Sequence, residues 1–454
     1  MPSQNNLRHG ASTLSSSISL LKTILGAGLL SMPLAYSTDG TIFGTIIILV
    51  AAVTSGFGLF LQCYVSKYTS IGHASFFSLC NITYPQLSVV FDVAIAIQCF
   101  GCAVSYLVLI GDLMPTIVTN VPYISQDQSK LFWLLVSTIF TVPLSFLKNL
   151  DSLKYTSVLG LGAIIYISLL VVGHWLIGDI PRSGIIEYFP SSVTKVFSTF
   201  SIIVFAFTGQ QNMFSIINEA KDKSLNKLVS LVNFAVAVAA LLFILVGISG
   251  YLTFGANVNG NVILSYPNNW TTTLGRFSIV FMVVFSFPLM LHPARISVNN
   301  IYFEAKKKIE KERGIKKEEE EEEEEEEEVV VANETTQLLN GSDSTQEGDR
   351  EIQLKTHVVP FPEMAFITIT IVLLIIGYIL AATVESFAFI LAVVGATGST
   401  SISFILPGLF GYKLIGSESD DPNTLEKILK SLSLAMTIWG VLVMIVCLYS
   451  SMAL

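Results

Sequence analysis

The sequence predicts an all-α integral membrane protein of eleven transmembrane helices, two five-helix halves related by an inverted repeat plus one extra helix. Three observations predict it: the composition, the number of long apolar segments, and two segments interrupted at corresponding places. Of the 454 residues, 52% are hydrophobic and 13% charged, about half the charge of an ordinary soluble domain. The mean hydropathy of +0.67 belongs to a chain that meets lipid over most of its length. The formal net charge of -9 misleads, because the unbroken run Glu318–Glu328 lies in one loop and the rest of the chain is close to neutral. No basic stripe marks a nucleic-acid surface.

A helix needs roughly 20 apolar residues to cross the hydrocarbon core. Segments at 15–36, 41–65, 87–111, 131–147, 155–177, 193–217, 228–250, 274–296, 361–383, 386–410 and 429–450 meet this requirement. The fourth is short, and Pro143 distorts it. The first leads directly into further spans, so it reads as a retained helix rather than a cleaved signal peptide. Residues 1–14 then form a short N-terminal segment, 15–296 hold spans one to eight, 297–360 form a loop, and 361–454 hold spans nine to eleven.

The positive-inside rule orients this arrangement. With a cytosolic N-terminus, Lys67, Lys148, Lys154, Lys221, Lys223, Lys227, Arg295, the Lys306–Lys317 cluster, Lys413, Lys427 and Lys430 fall on the cytosolic side. The opposite side keeps essentially Lys130 and Arg182, and the C-terminus lies outside or in a lumen. Among the glycosylation sequons, those at Asn81, Asn333 and Asn340 fall on the cytosolic side. Only Asn269-Trp-Thr faces outward.

The loop 297–360 begins basic, turns to polyglutamate and ends rich in Ser, Thr and Asn. That composition reads as a disordered tether. Within it, Glu334-Thr-Thr-Gln-Leu338-Leu339 matches the acidic dileucine pattern of sorting-adaptor cargo. Cys99 and Cys102 form a CxxC, but inside an apolar run they read as packing residues. No metal, cofactor or disulfide framework is called for.

Two spans are broken. Gly26-Ala27-Gly28 weakens the first near mid-membrane, and Pro33 removes a backbone donor. In the sixth, a polar patch from Thr208 to Asn212 interrupts the apolar run. Non-helical backbone at this depth is tolerated only against protein or a water-filled cavity. Paired interruptions at corresponding positions of two halves point to a transporter binding site. Freed N–H groups there suit a carboxylate and freed carbonyls suit an ammonium, so a zwitterionic amino acid fits. The bland alternative is a close helix-packing face at Gly26 and Gly28. Candidate site residues are Thr23, Gly26, Ala27, Gly28, Phe207, Thr208, Gln210 and Asn212, joined by Tyr106 and Ser286 from spans three and eight.

The stretch Leu21-Lys-Thr-Ile-Leu-Gly-Ala-Gly-Leu-Leu-Ser-Met-Pro33 resembles the first span of the amino acid/auxin permease family, and within it the fungal vacuolar amino acid transporters. Phe205–Glu219 resembles that group's sixth span, and Ser286-Phe-Pro-Leu-Met-Leu-His-Pro-Ala-Arg295 its eighth. The resemblance covers nearly the whole membrane body but not the acidic loop. It implies a LeuT-like fold of the APC superfamily and amino acid transport across the vacuolar membrane. One departure stands out: the group usually reads Thr-Cys-His where this chain has Thr208-Gly209-Gln210. Glutamine does not titrate, so a proton-coupling role for that histidine is not carried over.

Sodium-coupled relatives commonly carry an asparagine at the position of Lys22 and a hydroxyl near Val284. The resemblance therefore favours proton-driven or facilitated transport, with Lys22 standing in the place of the ion. Lys22 equally fits a snorkelling reading. Glu219, directly after the second break, is a further coupling candidate, while Asp92, Asp112, Glu385 and His292 read as solvated span ends. A membrane amino acid sensor signalling through the 297–360 loop is the competing function. An enzyme lacks a convergent polar cluster, and a channel lacks a repeated filter or charge ring.

Overall fold

The computed structural model describes residues 10–147, 154–182, 184–190, 192–312, 361–384, 386–418 and 422–452. Every predicted span segment is helical in it. Nine helices are long and apolar enough to cross a membrane among the described residues. Span one is a bent pair, Thr13–Ile24 and Ala27–Asp39, turned by 47°. The fourth segment is the helix Gln126–Ser145, whose polar first turn dilutes its hydropathy. The polyglutamate run and the dileucine at Glu334, Leu338 and Leu339 lie outside the described residues, as does Glu385.

The broken spans sit at the centre. The most apolar stretch of span six is 83% buried, and that of span ten (Phe387–Leu414) 72%, against 33% for span nine and 28% for span eleven. The peripheral helices turn Ile139, Leu169, Ile375 and Ile445 outward, as surfaces that meet lipid do. Span three (Ser88–Ile117) packs along span eight, and span seven (Leu225–Phe254) against span two (Thr41–Val65) and the first half of span one.

Several boundaries differ from expectation for physical reasons. Span one runs to Asp39, because Met32–Asp39 forms a helix in which Pro33 sits in the first turn, where its missing N–H costs nothing. It ends at Gly40, whose φ of +78° and close approach to the Phe189 backbone, 2.5 Å from where a Cβ would stand, leave no room for a side chain. Span eight continues as one helix from Trp270 to Glu312, so the expected loop begins as helix. Its Glu304–Glu312 stretch consists mostly of Lys, Glu and Ala, good helix formers, with Lys306 and Glu310 paired one turn apart at 3.6 Å.

Span ten is less regular than its hydropathy suggests. It contains two π-helical stretches, Gly395–Ser399 and Ser401–Ile405. Gly395 packs directly on the Ser201 carbonyl, and Gly398 on the backbone of Gln98. Widening the helix at these contacts is a recurrent device near functional sites. All five cysteines are buried and free.

Several charges read as terminal and solvated are buried. Asp92 is 8% exposed and accepts from Asn300 Nδ2 at 3.2 Å. Asp112 pairs with Lys130 at 3.1 Å, and Lys130 also donates to the Val384 carbonyl. Arg295, expected in a loop, is 1% exposed. It donates to the Ser145 carbonyl and the Thr370 hydroxyl, both at 3.0 Å, contacts His292 Nδ1, and stacks on Phe366. It thereby fastens spans four, eight and nine together.

Candidate substrate site

The two breaks lie side by side. The first half of span one ends at Ile24, and Gly26 is extended, with φ −114° and ψ −150°. The chain restarts as a 3-10 turn over Ala27–Ser31. Span six stops at Ala206 and restarts at Gln210, so Gln210 and Asn212 belong to the second half-helix rather than to the gap. A Cβ on Gly28 would lie 2.5 Å from Ala206 Cβ, and one on Gly209 would meet Leu20 and Ile24. Each break thus presses on a half-helix of the other span. Asn212 Nδ2 donates to Thr23 Oγ1 at 3.2 Å, and that hydroxyl donates to the Ser19 carbonyl.

A polar collar from spans two and ten holds the span-six break. The Phe207 carbonyl accepts from Ser55 Oγ at 3.0 Å, and the Gln210 carbonyl accepts from Gln62 Nε2 at 3.2 Å. The Gly209 N–H donates to Gln210 Oε1, which also accepts from Ser403 Oγ, both at 2.9 Å. Gln210 Nε2 reaches the Ser55 carbonyl and hydroxyl at 3.2 Å. Gly58 makes this approach possible, since a Cβ there would overlap the Ser403 carbonyl. The Phe207 and Gln210 carbonyls and the Gly209 N–H at the break are therefore satisfied by protein.

The predicted residues consequently divide. Thr23, Gly28 and Asn212 meet at the seam, and Ala27 and Gly28 carry the first N–H groups of the 3-10 turn, which have no acceptor within it. Gln210 is fully buried in the collar, and Thr208 bonds the Val204 carbonyl at 2.8 Å. Phe207 turns toward span seven, edge-on to Phe243. Tyr106 is buried beside the Cys102 thiol on its own helix, and Ser286 is half-buried on span eight. Neither is drawn into the seam by a hydrogen bond. Lys22 is half-buried in the last turn of its half-helix, where the helix dipole favours a cation. No carboxylate pairs with it among the described residues. Glu219 exposes its side chain; its backbone carbonyl accepts from the Ala11 N–H at 2.9 Å. Asn269 is exposed and caps span eight, its Oδ1 accepting from the Thr272 N–H at 2.8 Å.

Sequence reasoning missed Ser55, Gln62, Ser403 and Asp39. The run Gly395-Ala-Thr-Gly-Ser-Thr-Ser-Ile-Ser403, small and hydroxylated within an apolar span, is the signal that could have pointed to span ten. A small cavity of about 10 Å³, room for about one water, opens at Gly26. Leu30 of span one, Ile164 and Ile167 of span five, and Ile279 and Met282 of span eight line it.

Two half-broken helices interlocked at the centre of a helical membrane body define a broken-helix membrane transporter. The solved structure of MhsT in complex with L-phenylalanine shares this fold, with a TM-score of 0.54 over 98% of this chain and 99% of that one, at 12% identity. A model of the family described as "Transmembrane amino acid transporter protein" matches residues 9–453, and the chain belongs to that family. Vacuolar amino acid transporter 7 of Saccharomyces cerevisiae is 40% identical over 97% of both chains. Vacuolar amino acid transporter 5 of Schizosaccharomyces pombe is 36% identical over 97% of this chain and 94% of its own. Sodium-coupled neutral amino acid transporter 7 of Mus musculus is 26% identical over 65% of this chain and 66% of its own.

Proposed function

We propose that this chain is a secondary transporter that carries amino acids across the vacuolar membrane by alternating access around the two breaks, driven by protons. The interlock of the breaks carries the reading. Free N–H groups at Ala27 and Gly28 suit a carboxylate, and the carbonyl end of Val193–Ala206 suits an ammonium. Thr23 and Asn212 close the seam beside them. The names of the two yeast relatives support both the substrate class and the vacuole.

Two features favour protons over sodium. The side chains lining the cavity where span one meets span eight are apolar and offer no oxygen to an ion. Lys22, one turn before the Gly26 break, places a fixed cation nearby. In the proposed orientation the N-terminus is cytosolic and the C-terminus lumenal. Asn269 then carries a glycan, and Glu334, Leu338 and Leu339 address the chain to the vacuole through a sorting adaptor. The test is amino acid uptake into sealed vesicles holding the protein, in sodium-free buffer, with and without an imposed proton gradient. Stimulation by the gradient is expected. Uptake that requires sodium would overturn the ion assignment, and no uptake of any amino acid would overturn transport.

A further inference from the structure

We propose that Asp39 is a proton-binding site that controls the seam between the second half of span one and the first half of span six, on the face opposite the N-terminus. Asp39 is fully buried. Its Oδ1 accepts from Thr199 Oγ1 at 2.7 Å across the seam, while Oδ2 is buried with no partner among the described residues. A buried carboxylate without a cation is strongly disfavoured, and protonation is the cheapest remedy.

The surroundings offer no cation. On its own helix the nearest titratable group is Tyr36, whose hydroxyl is shared with Thr45 of span two at 2.9 Å. Span two otherwise presents Gly44. The first half of span six contributes Thr199, with Lys195 one turn earlier exposed. The segment covering Gly40 brings Glu187, exposed, its N–H bound to Tyr251 of span seven at 2.7 Å. None of these forms an ion pair with Asp39 among the described residues.

The closed seam therefore holds Asp39 as the neutral acid, the proton sitting on Oδ2. When the half-helices part and water enters, the proton returns to the solution on that face and the carboxylate is hydrated. Raising the pH there holds the seam open and opposes the closed state. Each pH unit above the midpoint lowers the protonated fraction about tenfold. In the orientation proposed above that face is lumenal. The inference rests on the reading of the chain as a transporter.

The test is amino acid exchange in sealed vesicles at equal concentrations on both sides, with the pH varied between 4 and 8 on the Asp39 face alone. Wild-type exchange is expected to fall as that pH rises. Asp39→Asn, neutral at every pH, is expected to show a flat profile, and Asp39→Glu to keep a slope. Thr199→Val, which withdraws a hydroxyl that favours the charged form, is expected to move the midpoint upward and keeps the test alive if Asp39→Asn does not fold. A wild-type profile retained by Asp39→Asn, an unmoved midpoint in Thr199→Val, or a flat wild-type profile would overturn the proposal. Absence of wild-type exchange at every pH would instead overturn transport itself.

Discussion

Asn212, on the second half of span six, donates its amide to the Thr23 hydroxyl on the first half of span one at 3.2 Å. This bond joins two half-helices near their breaks, in a position that any opening of the seam toward the N-terminal face must disturb. Removing either side chain is expected to weaken the closed seam by about 0.5–1.5 kcal/mol, the ordinary net worth of such a bond. A double-mutant cycle of Thr23→Val and Asn212→Ala, read as substrate-induced thermal stabilisation, checks it. Additive single effects would show that the two residues act separately.

Gly26 and Gly28 look alike in the sequence but differ in the fold. A methyl on Gly26 meets nothing within 4 Å, whereas one on Gly28 meets Ala206 at 2.5 Å. Gly28→Ala is therefore expected to lower stability by about 1–3 kcal/mol through overpacking, while Gly26→Ala folds normally. Detergent thermal melts of the two variants decide this, and equal melting points would mean that the span-one and span-six backbones do not touch as described.

The breaks were legible because Gly, Pro and amide side chains punctuate an otherwise apolar text. The collar was not. Ser55 and Gln62 are isolated polar residues in span two, and only the approach of the span-six break, whose Phe207 and Gln210 carbonyls they bind, gives them partners. Asp39 escaped notice because Ser37-Thr-Asp-Gly40 reads as a turn, yet the helix continues through it and buries the carboxylate. Arg295 was counted as a loop cation because positive charge near a span end is usually solvated. Here two neighbouring helices supply a carbonyl from span four and a hydroxyl and an aromatic face from span nine. Local pattern thus located the interruptions, and tertiary approach determined what satisfied them.

Gln210 is fully buried in the collar, and its hydrogen bonds there give it a structural role. Its Oε1 accepts from Gly209 and Ser403, and its Nε2 donates to Ser55. Gln210→Ala strands these buried groups and is expected to cost about 1–3 kcal/mol. Gln210→His, with one acceptor and one donor as the neutral ring, is expected to recover part of that loss. Melting temperatures ordered wild type, histidine, alanine support the assignment, and an alanine variant as stable as wild type refutes it.

Lys130 shows how a charged pair functions at the edge of the membrane body. Its ammonium binds Asp112 of span three at 3.1 Å and the carbonyl of Val384, beyond span nine, at 3.0 Å. Both partners of the ion pair are largely shielded, with side-chain exposures of 25% and 18%. Removing the cation leaves Asp112 partly buried without compensation, a loss larger than the pair itself contributes. Lys130→Met is expected to destabilise the protein, and Asp112→Asn added to it to restore much of the loss, since a neutral amide tolerates burial better than a lone carboxylate. Raising the pH should widen the deficit of the single Lys130→Met variant, because the ionised form of Asp112 is the one left uncompensated. Melts of the single and double variants at pH 5 and pH 8 test this, and a double variant no more stable than Lys130→Met alone would show that Lys130 acts through Val384 rather than through the carboxylate.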